Sequence, residues 1–462
     1  VCYLIANAGT DYHDHDNGTG FHYGGLFTFG GGGSPNHNVG TEGNSITVKA
    51  YPGDNVQMDG TGTDGGSSTL KSVVQMYYAG SQLSYWTFSN MSMNGSWACV
   101  ALGANGYTGG GLSNIRVVGN DLTTELTTTQ QWGNAIVAYG MASGAGANDL
   151  HILANYVHDI CADTRGQDTG RRVYPIYIGG YGDLSDIYIR YNEFGWLSQG
   201  RGVQIYGHDD EDTITNCHYS HNYTHDAARQ GLLFGGGDGS PAYQFLITGY
   251  VYSNIISFPG SGDSVAVPGG SSGNGRHDWD CYVFNNTFYG ANSTNPPLNI
   301  TASGDILRFR NNIIVGSSGS VAANTYHPDP TSTAEGDIDD YVGSNNLFYN
   351  VSYSAHGGAY FGWETSTLDG DDPKFTTTPS ASDGDYEDFE LQSDSPCINA
   401  GYDISGMPSD FIETDFYGTA LDTTPDIGAI QYGSDGGGGS GSINCTGSGT
   451  INLSGSGSII FQ

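Results

Sequence analysis

The chain has 462 residues, of which 48 are acidic and 13 basic, giving a formal charge of −35. Such a surface repels nucleic acid and anionic membrane and could attract cations, and no run of about 18 apolar residues is present to span a bilayer. Gly, Asn, Ser, Thr and Tyr are abundant and long charged side chains scarce, which favours short strands and tight turns over helices. In chain order, residues 1–12 (VCYLIANAGTDY) predict a strand running into a turn, followed by the run His13, Asp14, His15, Asp16, which is either a metal site or a solvated polar loop. The chain begins at Val1 without a signal peptide, which predicts that upstream sequence is missing or processed. Residues 45–60 (SITVKAYPGDNVQMDG) alternate as strand, Pro-Gly turn and strand.

From residue 84 a phrase recurs: alternating apolar residues, an asparagine, then another apolar residue. It centres on Asn90, Asn120, Asn155, Asn192, Asn222, Asn254, Asn286, Asn312 and Asn346, at intervals of 26 to 37 residues. A period of about 20–50 residues is the mark of a stacked repeat, in which each unit contacts only its neighbours, so one long domain is allowed. Asn suits a corner between strands because it tolerates the left-handed backbone region, and identical amides stacked at strand spacing form a hydrogen-bonded ladder.

A second strand follows each phrase, as in PIYIGG (175–180), GVQIYG (202–207) and GLLFGG (231–236). Alternation sends Ile176 and Ile178, Val203 and Ile205, and Leu232 and Phe234 inward to a continuous core. Tyr177, Gln204 and Leu233 then form an outward row with steps of about 4.8 Å.

The phrases KAYPGDNVQMDG (49–60), FNNTFYG (284–290) and RNNIIVG (310–316) resemble right-handed parallel β-helix proteins of the pectate-lyase-like superfamily. The closing phrases DDPKF (371–375), DFELQSDSPCINAG (388–401) and DTTPDIGAIQY (422–432) resemble the end of the secreted proteins called choice-of-anchor Q. The resemblance covers residues 1–432 and implies an all-β solenoid of about ten coils, located outside a cell or on a virion surface. It also implies that VCYLIANAGTDY is the middle of a first coil. It carries over no catalytic residue, since the superfamily mixes lyases, hydrolases and proteins without known activity.

Chemistry is expected on the outward face, where polar groups converge between residues 158 and 280, among them His158, Asp159, His225 and Asp226. A hydrolase needs two carboxyl groups about 5–10 Å apart, which Asp209 or Asp210 with Asp238 would supply. A lyase needs a base beside a neutralising cation. Arg201 with His208 fits that role, aided by calcium on Asp209, Asp210 and Asp212, a metal the family often uses on carboxylates. Substrate contacts would come from Tyr177, Gln204, Tyr206, Arg172 and Trp279. Lys49, Lys71 and Lys374 sit in an early strand, a loop and a turn, and are poor base candidates.

Residues 433–439 form a Gly-rich linker, and residues 440–462 carry an eight-residue repeat with Ile443, Ile451 and Ile459 in register. So little apolar surface predicts either self-association through this tail, which the regular isoleucine spacing favours, or a disordered Gly/Ser segment. The seven cysteines lack CxxC spacing, which argues against zinc and for small buried hydrophobes. Asn-x-Ser/Thr triplets, including Asn90, Asn222 and Asn285, would matter only if the chain is glycosylated; Asn90 and Asn222 belong to the repeat phrase and are poor acceptors. Two functions follow: recognition and depolymerisation of a polysaccharide or cell-surface glycan, or a fibre subunit without an active site, assembled through its tail. Neither calls for nucleic acid or a membrane span.

Overall fold

The computed structural model describes residues 25–29, 41–50, 56–59, 72–76, 83–95, 98–102, 111–124, 132–140, 146–160, 172–180, 182–197, 202–207, 213–226, 231–236, 245–257, 265–267, 277–291, 298–300, 306–321, 323–325, 340–352, 365–379, 385–404, 411, 414–434, 442–445 and 451–454. Their strands form three parallel sheets of ten, ten and eleven strands, each sheet taking every third strand of the chain. One coil comprises Arg172–Gly180 in the first sheet, Leu184–Arg190 in the second and Glu193–Gly195 in the third. This is a parallel β-helix of about ten coils, right-handed as parallel crossovers are. No helix among the described residues is long and apolar enough to cross a membrane.

The inward row is as the alternation predicts. Ile176 pairs with Val203 and Val203 with Leu232, all fully buried in one core with Ile187, Ile189 and Phe194. Cys99, Cys217, Cys281 and Cys397 are free and buried, and burial pushes the Cys99 thiol up to about 12, so these are packing groups.

The repeat asparagines from Asn120 on form the expected ladder, but the left-handed corner expected of them falls one residue earlier. From Asn120 through Asn155, Asn192, Asn222, Asn254, Asn286 and Asn312 to Asn346, each amide donates to the Oδ1 of the next at 2.9–3.1 Å. The same Nδ2 also donates to a carbonyl of the preceding coil, as Asn222 does to Ile189 at 2.9 Å. These ladder residues are not the left-handed ones. The left-handed corner falls on the residue before: Gly119, Ala154, Tyr191, His221, Ser253, Asn285, Asn311 and Asn345, with φ between 49° and 64°. Asn90 belongs to this corner row (φ 57°), and Met91 takes the ladder position, its N–H donating to Asn120 at 3.2 Å. Both positions suit Asn for different reasons, so a sequence can confuse them. Asn222 and Asn285 are fully buried and cannot carry glycans, whereas Asn90 is exposed.

Leu368–Asp369 is the last strand of the third sheet, and beyond it the described residues 370–379, 385–404, 411 and 414–434 leave the coil pattern as a strap along the outside. The strap contains the three closing phrases. Lys374 pairs with Asp394, Ser395 donates to the Pro373 carbonyl at 2.6 Å, and Phe375 bridges Leu391. It docks on the corner row: Asn285 donates to the Asp426 carbonyl at 3.0 Å, Asn311 to that of Tyr402 at 3.1 Å and Asn345 to that of Ala400 at 2.8 Å. Ser434, within the expected linker, is buried and its hydroxyl donates to the Gln431 carbonyl at 2.6 Å. Beyond lie Ser442–Cys445 and Ile451–Ser454, which pair antiparallel with each other. Ile451 therefore pairs with Cys445, and Ile443 with Leu453, rather than with an equivalent isoleucine.

Candidate functional site

The expected substrate row exists but is covered. Tyr177, Gln204 and Leu233 are in register on the first sheet, yet Tyr177 is only 8% and Gln204 5% exposed. Tyr206 is half-buried in the next outward row, and Arg172 begins the strand Arg172–Gly180. Trp279 does not join them: it lies in the second sheet, in register with Ile247. Arg201, His208, Asp209, Asp210, Asp212 and Asp238 lie outside the described residues, as does the run His13–Asp16. Among the described residues no group of three or more His, Cys, Asp and Glu could hold a metal ion.

The structure gathers a different set on the third sheet. Tyr156, His158 and Asp159 follow Asn155; Glu193, Gly195 and Trp196 follow Asn192; Tyr223, His225 and Asp226 follow Asn222. Register aligns Tyr156 with Glu193 and Glu193 with Tyr223, and puts Gly195 beside His158. The sequence signal is the string NYxHD, which occurs at 155–159 and again at 222–226, two coils on, with NEFGW between. The alternation places the first and third residues after each asparagine outward.

Each histidine is clamped by two carboxylates. His158 donates from Nε2 to Asp121 and from Nδ1 to Asp159, both at 2.9 Å. His225 repeats the arrangement with Glu193 at 3.3 Å and Asp226 at 2.9 Å. Carboxylates only accept, so a ring bonded to two of them carries protons on both nitrogens and is imidazolium. Burial pulls the pKa of both histidines down, but these hydrogen bonds more than offset it and leave both above the ordinary value. The hydrogen bond from His158 in turn holds the Asp121 carboxyl below its usual range, against the opposing effect of burial. Each ring also stacks on the tyrosine two residues before it, at 4.1 Å for Tyr156 and 4.6 Å for Tyr223.

Trp196 stands between the two clamps. Its indole meets His158 and His225 edge-on, at 6.4 and 5.4 Å between centroids. At 37% exposure it is one of three large apolar side chains open to solvent among the described residues. Its φ of 49° is left-handed, like the φ of 50° and 51° at Asp159 and Asp226 in the neighbouring coils. Asp tolerates that region better than a bulky aromatic does, and Trp196 shares the strain with Tyr85 and Tyr191. Gly195 makes the arrangement possible, since a Cβ there would sit 2.4 Å from His225 Nε2. The result is an aromatic plate framed by the acceptor oxygens of Asp121, Asp159, Glu193 and Asp226, with no free N–H on either histidine.

No family model matches the chain, and no curated protein matches it. Among solved structures the chain is similar to the crystal structure of pectate lyase Pel9A, at 12% identity over 90% of this chain and 85% of that one, with a TM-score of 0.42.

Proposed function

We propose that this protein recognises a polysaccharide, outside a cell or on a virion surface, on the open third-sheet face centred on Trp196. The observation that carries this reading is an exposed tryptophan in the left-handed region. Strain of this kind costs about 1–3 kcal/mol and persists where a function over-rides it. A flat indole offers an apolar face to the C–H side of a sugar ring, and the surrounding carboxylates accept from its hydroxyls. The solenoid supports an extended ligand because the same positions recur at each coil, about 4.8 Å apart.

The test is retardation of the full chain in gels containing a broad panel of polysaccharides, repeated with Trp196→Asn. The reading expects retardation by at least one polysaccharide and a loss of tenfold or more in affinity for the variant. Equal retardation of both proteins throughout the panel would refute it. Reducing ends report hydrolysis and unsaturated ends report elimination in the same samples, so recognition and cleavage are read separately.

A further inference from the structure

We infer that the strap is a salt-dependent clasp: it docks fully on the solenoid only at high ionic strength, and the protein is made to work in concentrated salt. Residues 370–434 hold 14 acidic side chains and one basic, Lys374, whereas the other 397 residues hold 34 and 12. That is one net negative charge for every 5 residues of the strap, against one for every 18 elsewhere. Strap and solenoid therefore carry charge of the same sign, wherever the arginines lie. The one lysine of the strap is already paired within it, to Asp394.

Neutral groups seat the strap. Its Phe389, Leu391 and Phe416 join Ile255, Ile313 and Leu347 of the solenoid in one apolar cluster. Asn285, Asn311 and Asn345 donate to its carbonyls, and Arg310 lies over the ring of Tyr402. Its carboxylates Asp371, Asp372, Asp385, Glu387 and Asp422 are exposed. Like charges also meet at the seam, where Tyr386 of the strap touches Tyr223 edge-on at 5.9 Å. Burial raises the pKa of both phenols there, and Glu193 of the solenoid and Asp385 of the strap each add to the rise.

Exposed charges repel over about 10 Å in 0.1 M salt but over only about 3 Å in 1 M salt. A net charge far from zero loosens a compact state by self-repulsion. Dilute salt therefore works against the docked strap, and concentrated salt removes that opposition while leaving the apolar contacts and neutral hydrogen bonds in place. No bound ion is needed for this, only screening. Lifting the strap uncovers the apolar row of Ile255, Ile313 and Leu347. It also frees one edge of the recognition face, because Tyr223 stacks on His225.

Two buried cysteines report on the two bodies separately: Cys397 lies in the cluster under the strap and Cys217 in the solenoid core. While the strap is docked, burial pushes the Cys397 thiol up to about 12 and keeps it unreactive. The experiment is pulse labelling of the full chain with a maleimide in about 0.1 M and about 2 M NaCl, mapped by mass spectrometry, with rates normalised to free cysteine at the same salt. The expected result is labelling of Cys397 about tenfold or more faster in the dilute salt, with Cys217 protected in both. The variant Asp371→Asn, Asp385→Asn, Glu387→Gln, Asp422→Asn lowers the charge of the strap, and should slow Cys397 labelling in dilute salt by about threefold or more. Sucrose strengthens burial without screening charge and should not replace the salt. Equal labelling of Cys397 at the two salt concentrations, full protection by sucrose, or no change in the variant overturns the inference. Labelling of Cys217 together with Cys397 in dilute salt overturns it as well, since the whole solenoid then opens and not the strap.

Discussion

The outer face of the third sheet is built in two ways. In the row that follows the asparagine ladder, the open coils carry Asp121, Tyr156 and Glu193, and the coils under the strap carry Ile255, Ile313 and Leu347. The strand positions are equivalent and the backbone pairing is the same. What differs is whether another segment covers them: beneath the strap these side chains join Phe375, Phe389, Leu391 and Phe416 in a second core. The solenoid therefore specifies positions, and the strap decides which of them face water. His221 and His225, four residues apart, are both buried, but by different neighbours. His221 is buried under the strap with Nε2 against the Thr414 hydroxyl at 2.9 Å, while His225 lies between Glu193 and Asp226.

The largest expected effect breaks the covered half. Phe389, 1% exposed, packs against Tyr289 and Phe375, and Phe389→Ala should cost about 3–5 kcal/mol in denaturant unfolding. A cost under about 1 kcal/mol would mean that the strap is not part of the cooperative core. Asn285→Ala, which removes the amide bonded to the Asp426 carbonyl, should cost about 1 kcal/mol, since only the longer bond from Gln431 at 3.4 Å then meets that carbonyl.

The two kinds of histidine give opposite pH dependence. Burial, with Arg190 nearby, lowers His221 to about 3 and His218 to about 2. Below pH of about 6.5 the unfolded chain binds protons there that the folded chain does not, so stability falls on acidification. His158 and His225 are raised, so their contribution is complete below that pH and is lost as pH rises through their folded values. Stability measured against pH should lose part of its acid slope in His221→Asn and part of its alkaline slope in the double variant His158→Gln, His225→Gln. The same slopes in all three proteins would contradict the assignment.

On the open half, Trp196→Asn should raise stability by about 1 kcal/mol by relieving left-handed strain, even as it removes glycan binding. A matching loss of stability would make Trp196 a packing residue. Removing residues 435–462 should leave the melting temperature unchanged and reduce the mass in solution to that of a single chain. An unchanged mass would refute the proposed role of the tail in self-association.

The fold was legible because its repeat rests on a residue with a distinctive use: eight buried amides in register leave little choice of architecture. The offset between ladder and corner was not legible, because NNT, NNI and NNL each supply an asparagine for both. His158, Asp159, His225 and Asp226 stood out as polar groups, but their partners Asp121 and Glu193 come from the preceding coils, and only register joins them. The doubled NYxHD string was the available clue. Tyr177 and Gln204 show the opposite failure, since alternation reports which way a side chain points and not what lies over it.

The amide ladder also has a direction. Every rung gives its hydrogen from the earlier coil to the later one, from Asn120 to Asn346, so the amide dipoles align like compass needles along the axis. At the start the polarity is met by a plain backbone N–H, that of Met91. A coil carrying its own asparagine can thus be spliced in or out between any two rungs without reversing a single bond. A coil lacking it would split the row into two shorter magnets, each with a new pole buried in the wall.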